Sequence, residues 1–288
     1  MTKLAAVIVT HNRADKLAKV LAALHGQTRV PDVIYVVDNA STDHTAEVAT
    51  GVEYLRLKEN IGGAGGFNLG LKRAYTDGAD LVWVSDDDAY PEPTAIERLE
   101  KALAQFETNV GRRAPFACSW VKWTDGGHCE MNTPTPVWDW PRFYAPDAPV
   151  FLVSSCSFVS CLIPRWAIEA HGLPIVDYFI WYDDAEYTQR LARSHPGLFV
   201  PESVVMHDLP VNQGVNYGLI MRETLWKFRY GARNETSARL RMMGWAGVAE
   251  FWLRANRQMR GTPWQFRRAI YAAFWRGLWF RPEIERVK

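Results

Sequence analysis

The alternation of short apolar runs with amphipathic stretches over the first 90 residues constrains this chain more than any other feature. "LAAVIVT", "VIYVVDN", "VEYLRL" and "DLVWVS" read as strands, the first of them apolar enough to be buried. Between the first two, "DKLAKVLAALHGQ" carries Leu17, Val20, Leu21 and Leu24 at i, i+3, i+4 and i+7, the stripe of an amphipathic helix. "STDHTAEVA" starts another helix with Ser41 or Thr42 as N-cap, and "NIGGAGGFNLGLKRAYTDG" is a glycine-rich turn running into a third. This βαβαβαβ order predicts an α/β fold, a mostly parallel sheet flanked by helices, with ligands at the carboxyl ends of the strands.

Beyond Pro91 the pattern is looser. "PEPTAIERLEKALAQF" reads as a helix, and "TDGGHCEMNTPTPVWDWPRFYAPDAPV" as a long irregular insertion over the ligand end. "FLVSSCSFVSCLIP" is a strand pair or one long strand; "IVDYFIWYDDAEYTQRLARS" ends in a helix, and "LFVPESVVMHD" returns as a strand. Residues 1–216 are expected to form the α/β domain and 217–288 a helical extension. From Arg222 to Lys288 there are 15 Lys/Arg against 5 Asp/Glu, a net +10, which leaves −9 on the remainder. Six of the 13 tryptophans also lie there. A basic, aromatic tail on an acidic body suits an anionic membrane surface, with the core or a subunit interface as the competing use of its tryptophans. No apolar run approaches the ~20 residues of a membrane span. The four cysteines form no CxxC pair and no leader-like segment opens the chain, so free thiols in a reducing cytoplasm are expected, peripheral to the inner face of the membrane if the tail binds it. Cys156 and Cys161, five apart in one strand, would face opposite sides.

Three polar clusters each follow a strand directly: Thr10 to Arg13, Asp38-Asn39, and Asp86-Asp87-Asp88. Adjacent carboxylates repel, so something cationic must relieve the triplet, and hard divalent cations such as Mn²⁺ or Mg²⁺ prefer carboxylate oxygens. An exposed acidic turn is the competing reading. His207, ending "VVMH", can complete the coordination of an Asp-bound metal. In "WYDDAEY", a carboxylate among Asp183, Asp184 and Glu186 at a loop-to-helix junction can act as general base, although acids are also favoured there by the helix dipole alone. The glycines of "NIGGAGGFNLG" let backbone approach a ligand, or pack a helix tightly; they form neither a Walker loop nor a dinucleotide fingerprint.

In this order "VIVTHNR", "VVDNASTD", "NIGGAGGFNLG", "SDDDAYP", "WYDDAEY" and "VVMHD" resemble the family-2 inverting glycosyltransferases of the GT-A fold, over roughly Ala5 to Asp208. The "GGAGGF" and "DDAEY" versions are most similar to bacterial galactofuranosyltransferases. The resemblance implies a nucleotide pocket at Thr10, Arg13, Asp38 and Gly63, with Asp86 and Asp87 towards the ribose and sugar. It implies Mn²⁺ or Mg²⁺ on Asp88 and His207, Asp184 as catalytic base with Asp183 beside it, and Trp181 walling the sugar. The implied reaction moves galactofuranose from UDP-galactofuranose, a nucleotide-sugar donor, to a hydroxyl of a glycan on a polyprenyl diphosphate lipid or the cell surface. A rhamnosyltransferase using dTDP-rhamnose is the nearest rival. A nucleotidyltransferase lacks its basic triphosphate loop, and a non-catalytic glycan-binding protein would leave the aspartates without a task. Nucleic acid is not an expected partner.

Overall fold

The computed structural model describes residues 2–288. The first half runs β1 (Leu4–Thr10), α1 (Ala14–His25), β2 (Val33–Asp38), α2 (Thr45–Val48), β3 (Glu53–Arg56), α3 (Gly62–Thr76) and β4 (Leu81–Asp86). β5 (Ala89–Pro91), α4 (Ala95–Val110), β6 (Ala117–Trp123), β7 (Thr135–Pro136), β8 (Phe151–Ser155) and β9 (Cys161–Pro164) follow. Then come α5 (Arg165–His171), α6 (Asp183–Leu191), β10 (Gly197–His207), α7 (Leu225–Gln258) and α8 (Trp264–Trp279).

One sheet has the order β3-β2-β1-β4-β9-β6-β10-β8-β7, with β5 paired to β10. It is parallel from β3 to β4 and between β6 and β10; β9 runs antiparallel to both β4 and β6. The chain builds outward from β1 through β2 to β3, then returns to lay β4 on the other side of β1. That reversal opens a crevice at the carboxyl ends of β1 and β4.

Every residue of β1 is buried because both faces are covered. Leu4, Ala6 and Ile8 face the core under α1, with Leu17, Val20, Leu21 and Leu24, while Ala5, Val7 and Val9 face the core under α3, with Phe67 and Leu71. The glycines anticipated as a turn before α3 lie inside it. A Cβ at Gly66 would come within 2.5 Å of Val9, and one at Gly70 within 2.2 Å of Val7, so α3 rides directly on β1. The expected cap of α2 also differs. Ser41 Oγ accepts from Asn12 N at 2.8 Å, and the carboxylate of Asp43 accepts from Thr45 N at 3.1 Å. Cys156 and Cys161 do not share a strand: Cys161 opens β9, and both sit with Cys118 in the core under α3.

α7 doubles back at Gly244 (φ 68°, ψ −159°). Arg239 and Arg254, on either side of that turn, both bond Glu235, and Trp252 Nε1 donates to Thr236 Oγ1 at 3.1 Å. α8 closes this hairpin with Ile270, Ala273 and Phe274 against Phe228, Ala232 and Phe251. Trp252 stacks on Phe274, whereas Trp245, Trp264, Trp275 and Trp279 are exposed. No helix among the described residues is long and apolar enough to cross a membrane.

The contact between α3 and β1 is testable. Gly70→Ala gains helix propensity but drives its methyl into Val7, a fully buried, stiff β-branched side chain. Urea denaturation should show a net loss of ~1–3 kcal/mol. Gly63→Ala, with nothing within 4 Å of its Cβ, should leave stability unchanged or raise it; equal effects at both positions would refute the packing argument.

Candidate active site

The three strand-end clusters meet at the crevice. Thr10 Oγ1 donates to Asp87 Oδ2 at 2.8 Å. Arg13 Nη1 bridges Asp87 Oδ1 (3.0 Å) and Asp88 Oδ2 (2.7 Å), and Lys16 Nζ stands 3.4 Å from the same Asp88 oxygen. β5, absent from the sequence reading, pairs Ala89 with His207 of β10 and so carries the imidazole to the triplet. His207 Nε2 lies 3.1 Å from Asp88 Oδ1, and Nδ1 donates to Asn132 Oδ1 at 2.8 Å.

These contacts decide the charge of each carboxyl. Burial pushes Asp88 up, but His207, Arg13 and Lys16 outweigh it and hold Asp88 below the usual range. Burial pulls His207 down, but the hydrogen bond to Asp88 prevails and lifts it to about 9. Asp86 has no such partner; burial and the neighbouring Asp88 push it up to about 7. Asp86, Asp88 and His207 bring one ligand atom each within 4.8 Å of one another. Two carboxylates and one imidazole fit a divalent cation. The nitrogen favours Mn²⁺ over Mg²⁺, which prefers an all-oxygen shell. Asn132 fixes the ring so that Nε2 faces the carboxylates, the usual support for a histidine ligand.

The opposite wall is the segment 179–184. Phe179, Trp181 and Tyr182 have φ of 64°, 65° and 68°, left-handed conformations that cost ~1–3 kcal/mol each without glycine. They lead into α6, whose first two residues are Asp183 and Asp184. Burial pushes Asp184 up to about 6, moderated by backbone N–H donors that include Ala185 N at 2.6 Å. Burial and the charge of Asp184 push Asp183 higher. Glu186 is fully buried and bound by Arg190 and Arg241, so it takes no part in the cavity.

A cavity of ≈ 740 Å³ joins these walls. It is lined by Thr10, Arg13, Gly63, Asp86, Asp87, Asp88, Trp181, Asp183, Asp184 and His207, ten of the eleven residues singled out from the sequence. The eleventh, Asp38, is fully buried behind the wall. Its carboxylate accepts from Tyr54 Oη and from Ser41 N, and Asn39 takes its place on the lining. The sequence reading missed the contribution of α7, where Lys227, Gly231, Glu235 and Arg239 face the cavity at four-residue spacing. That stripe was legible as periodicity, but nothing local tells which way a helix faces.

The family model described as "Glycosyl transferase family 2" matches residues 5–159, more than half of the 288. Galactofuranosyltransferase GlfT1 of Mycolicibacterium smegmatis (strain ATCC 700084 / mc(2)155) is 43% identical over 210 residues, covering 66% of this chain and 65% of that protein. GlfT1 of Mycobacterium tuberculosis (strain ATCC 25618 / H37Rv) is 39% identical over 120 residues, 40% of this chain and 39% of its own length. These matches therefore span less than two thirds of either relative. Among solved structures, GalNAc-T7 with UDP, GalNAc and Mn²⁺ superposes with a TM-score of 0.63 at 15% identity, over 94% of this chain and 55% of that one. At that identity the likeness speaks to the fold, which is that of the GT-A glycosyltransferases. The chain belongs to glycosyl transferase family 2.

Proposed function

We propose that this chain transfers galactofuranose from UDP-galactofuranose to a hydroxyl of a lipid-linked or cell-surface glycan, inverting the anomeric carbon. The observation that carries the proposal is a divalent-metal triad and a raised, buried carboxylate pair facing the same cavity. The names of the GlfT1 relatives support the donor.

Asp86, Asp88 and His207 would hold the cation, Mn²⁺ by the chemistry of its donors, with Mg²⁺ second. When bound it supplies positive charge against the departing diphosphate. Thr10, Arg13, Gly63, Asn39 and Asp87 form the nucleotide side, where Arg13 offers the diphosphate a guanidinium and α3 offers its N-terminus. Trp181 bounds the sugar. Both carboxyls on α6 are pushed up by burial, Asp183 also by the charge of Asp184, and Asp184, at about 6, is ionised at neutral pH. Asp184 therefore takes the proton of the acceptor hydroxyl as its oxygen bonds the anomeric carbon. The bond from that carbon to the diphosphate breaks, and UDP leaves.

Residues 217–288 complete the cavity as well as extending from it. We place the chain on the inner face of a membrane, held peripherally by the exposed Trp245, Trp264, Trp275 and Trp279 with the arginines between them. That position suits an acceptor carried on a polyprenyl diphosphate.

A donor panel with the purified chain and Mn²⁺ tests the function. UDP release should be fastest from UDP-galactofuranose and, at saturating Mn²⁺, which displaces the protons of Asp86 and His207, should rise with pH through about 6 as Asp184 ionises. Asp184→Asn should keep UDP affinity while turnover falls ~10²-fold or more; near-normal turnover in that variant would remove Asp184 as the base.

Asp88→Ala should cut turnover by ~10²-fold or more and weaken Mn²⁺-dependent UDP binding, with His207→Ala milder in both. Calorimetry showing the same Mn²⁺-dependent UDP affinity in Asp88→Ala and the wild type would rule out the metal triad.

For membrane attachment, the exposed Arg268 and Arg276 each contribute ~1 kcal/mol near an anionic surface. The full chain should co-sediment with phosphatidylglycerol vesicles at low salt and be released at high salt. Replacing both arginines by glutamine should weaken binding about tenfold or more. Failure of the unmodified chain to sediment at either salt concentration would sink the idea.

A further inference from the structure

The backbone that delivers Trp181, Asp183 and Asp184 to the cavity contains no glycine where its geometry asks for one. Phe179 (φ 64°, ψ −61°) is the centre of a γ-turn of the rarer hand, closed by Ile180 N donating to Tyr178 O at 2.7 Å. Trp181 and Tyr182 follow in the left-handed region. Such conformations persist only where the surroundings over-determine them.

Asn234, fully buried on α7, meets that requirement. Its Nδ2 donates to Tyr178 O (2.9 Å), Ile180 O (3.2 Å) and Trp181 O (2.9 Å), two hydrogens serving three carbonyls. Arg233 fixes which way the amide points, because its Nε and Nη2 donate to Asn234 Oδ1 at 3.0 and 2.8 Å. A flipped amide would set oxygen against three oxygens and NH₂ against a guanidinium. From the other side of the segment, Ala64 N of α3 donates to Phe179 O at 3.2 Å, and a Cβ on Gly62 would stand 2.1 Å from that same oxygen.

We infer that Asn234 is a positioning residue for the transfer. One amide on α7 holds the strained 178–182 backbone and thereby sets where Trp181 and the Asp183–Asp184 pair stand. It acts through main-chain carbonyls and touches neither carboxylate. Removing it frees the segment to relax toward right-handed conformations, which swings the start of α6. The donor side, built on β1, β4 and β10, stays in place. The inference rests on the galactofuranose-transfer reading only for its kinetic consequence.

Full-length Asn234→Ala and Asn234→Ser test it by hydrogen exchange with mass spectrometry and by steady-state hydrolysis of UDP-galactofuranose with Mn²⁺. In the Ala variant, peptides spanning 178–184 should exchange ~10-fold faster or more while those of β1 and β4 keep wild-type rates. The kcat should fall ~10- to 10²-fold with the donor KM within about twofold, the pattern of a misplaced reacting group. Ser, which keeps one donor, should fall between Ala and wild type in both readouts, and it carries the test alone if the Ala variant does not fold. Unchanged exchange at 178–184, uniform acceleration along the whole chain, or a raised KM at constant kcat overturns the inference. If the wild type does not hydrolyse UDP-galactofuranose, the donor assignment fails and the exchange result by itself decides on Asn234.

Discussion

Three adjacent carboxylates at the end of a buried strand set the terms for the rest of this molecule. Desolvated charge of one sign is not tolerated without partners, and the partners come from segments far apart in sequence. Arg13 and Lys16 arrive from the start of α1, directly beside β4 because β1 is its parallel neighbour. His207 arrives from the end of β10, brought round by the short antiparallel pairing with β5. The same need explains why β10 is long and irregular. It pairs with β8 at its start and with β6 at both ends, slipping register between Val200 and Val204, and its last residues also reach β5. The sheet topology and the charge compensation are one solution.

The C-terminal helices take part in that solution. Read from composition, 217–288 is a basic appendage, yet α7 reaches into the catalytic half through Asn234 and through Arg241, which binds Glu186 and Tyr178. Gly231 leaves no room for a side chain because the Trp181 ring lies against it, 2.9 Å from where its Cβ would be. The kink at Gly244 lets one helical stretch present two faces, one to the cavity and one to α8. Among the tryptophans of these helices, Trp252 is stacked on Phe274, Trp275 and Trp264 touch Trp252 and Tyr271 while staying exposed, and Trp245 and Trp279 are exposed as well.

Local rules carried the reading where the structure is local. β1, β2, β4, α1 and α4 were legible from periodicity because each is a single buried or half-buried run, while β3, with no buried residue, followed from its place in the alternation. Thr10 to Arg13, Asp86 to Asp88 and His207 could be placed together because each follows a strand, and parallel strands end on the same edge; Trp181, Asp183 and Asp184 sit on a loop and the start of α6, outside that rule. What failed depends on partners that no window of sequence contains. The glycines of α3 read as a turn because glycine disfavours helix interiors; they are helical because Val7 and Val9 demand closeness. The left-handed Phe179-Ile180-Trp181-Tyr182 turn carries no glycine or asparagine to announce it, since its support comes from a residue about 50 positions later.

The two carboxylate groups in the cavity also explain each other. The triplet is compensated by cations, which keeps Asp88 ionised; the pair on α6 is desolvated and left without a cation, which keeps its affinity for protons high. That contrast survives although guanidinium groups surround α6. Glu186 holds Arg190 and Arg241, and Glu235 holds Arg239 and Arg254. Four arginines are thus paired with two glutamates, and the cavity holds a cation-compensated carboxylate cluster at one end and a desolvated carboxyl pair at the other.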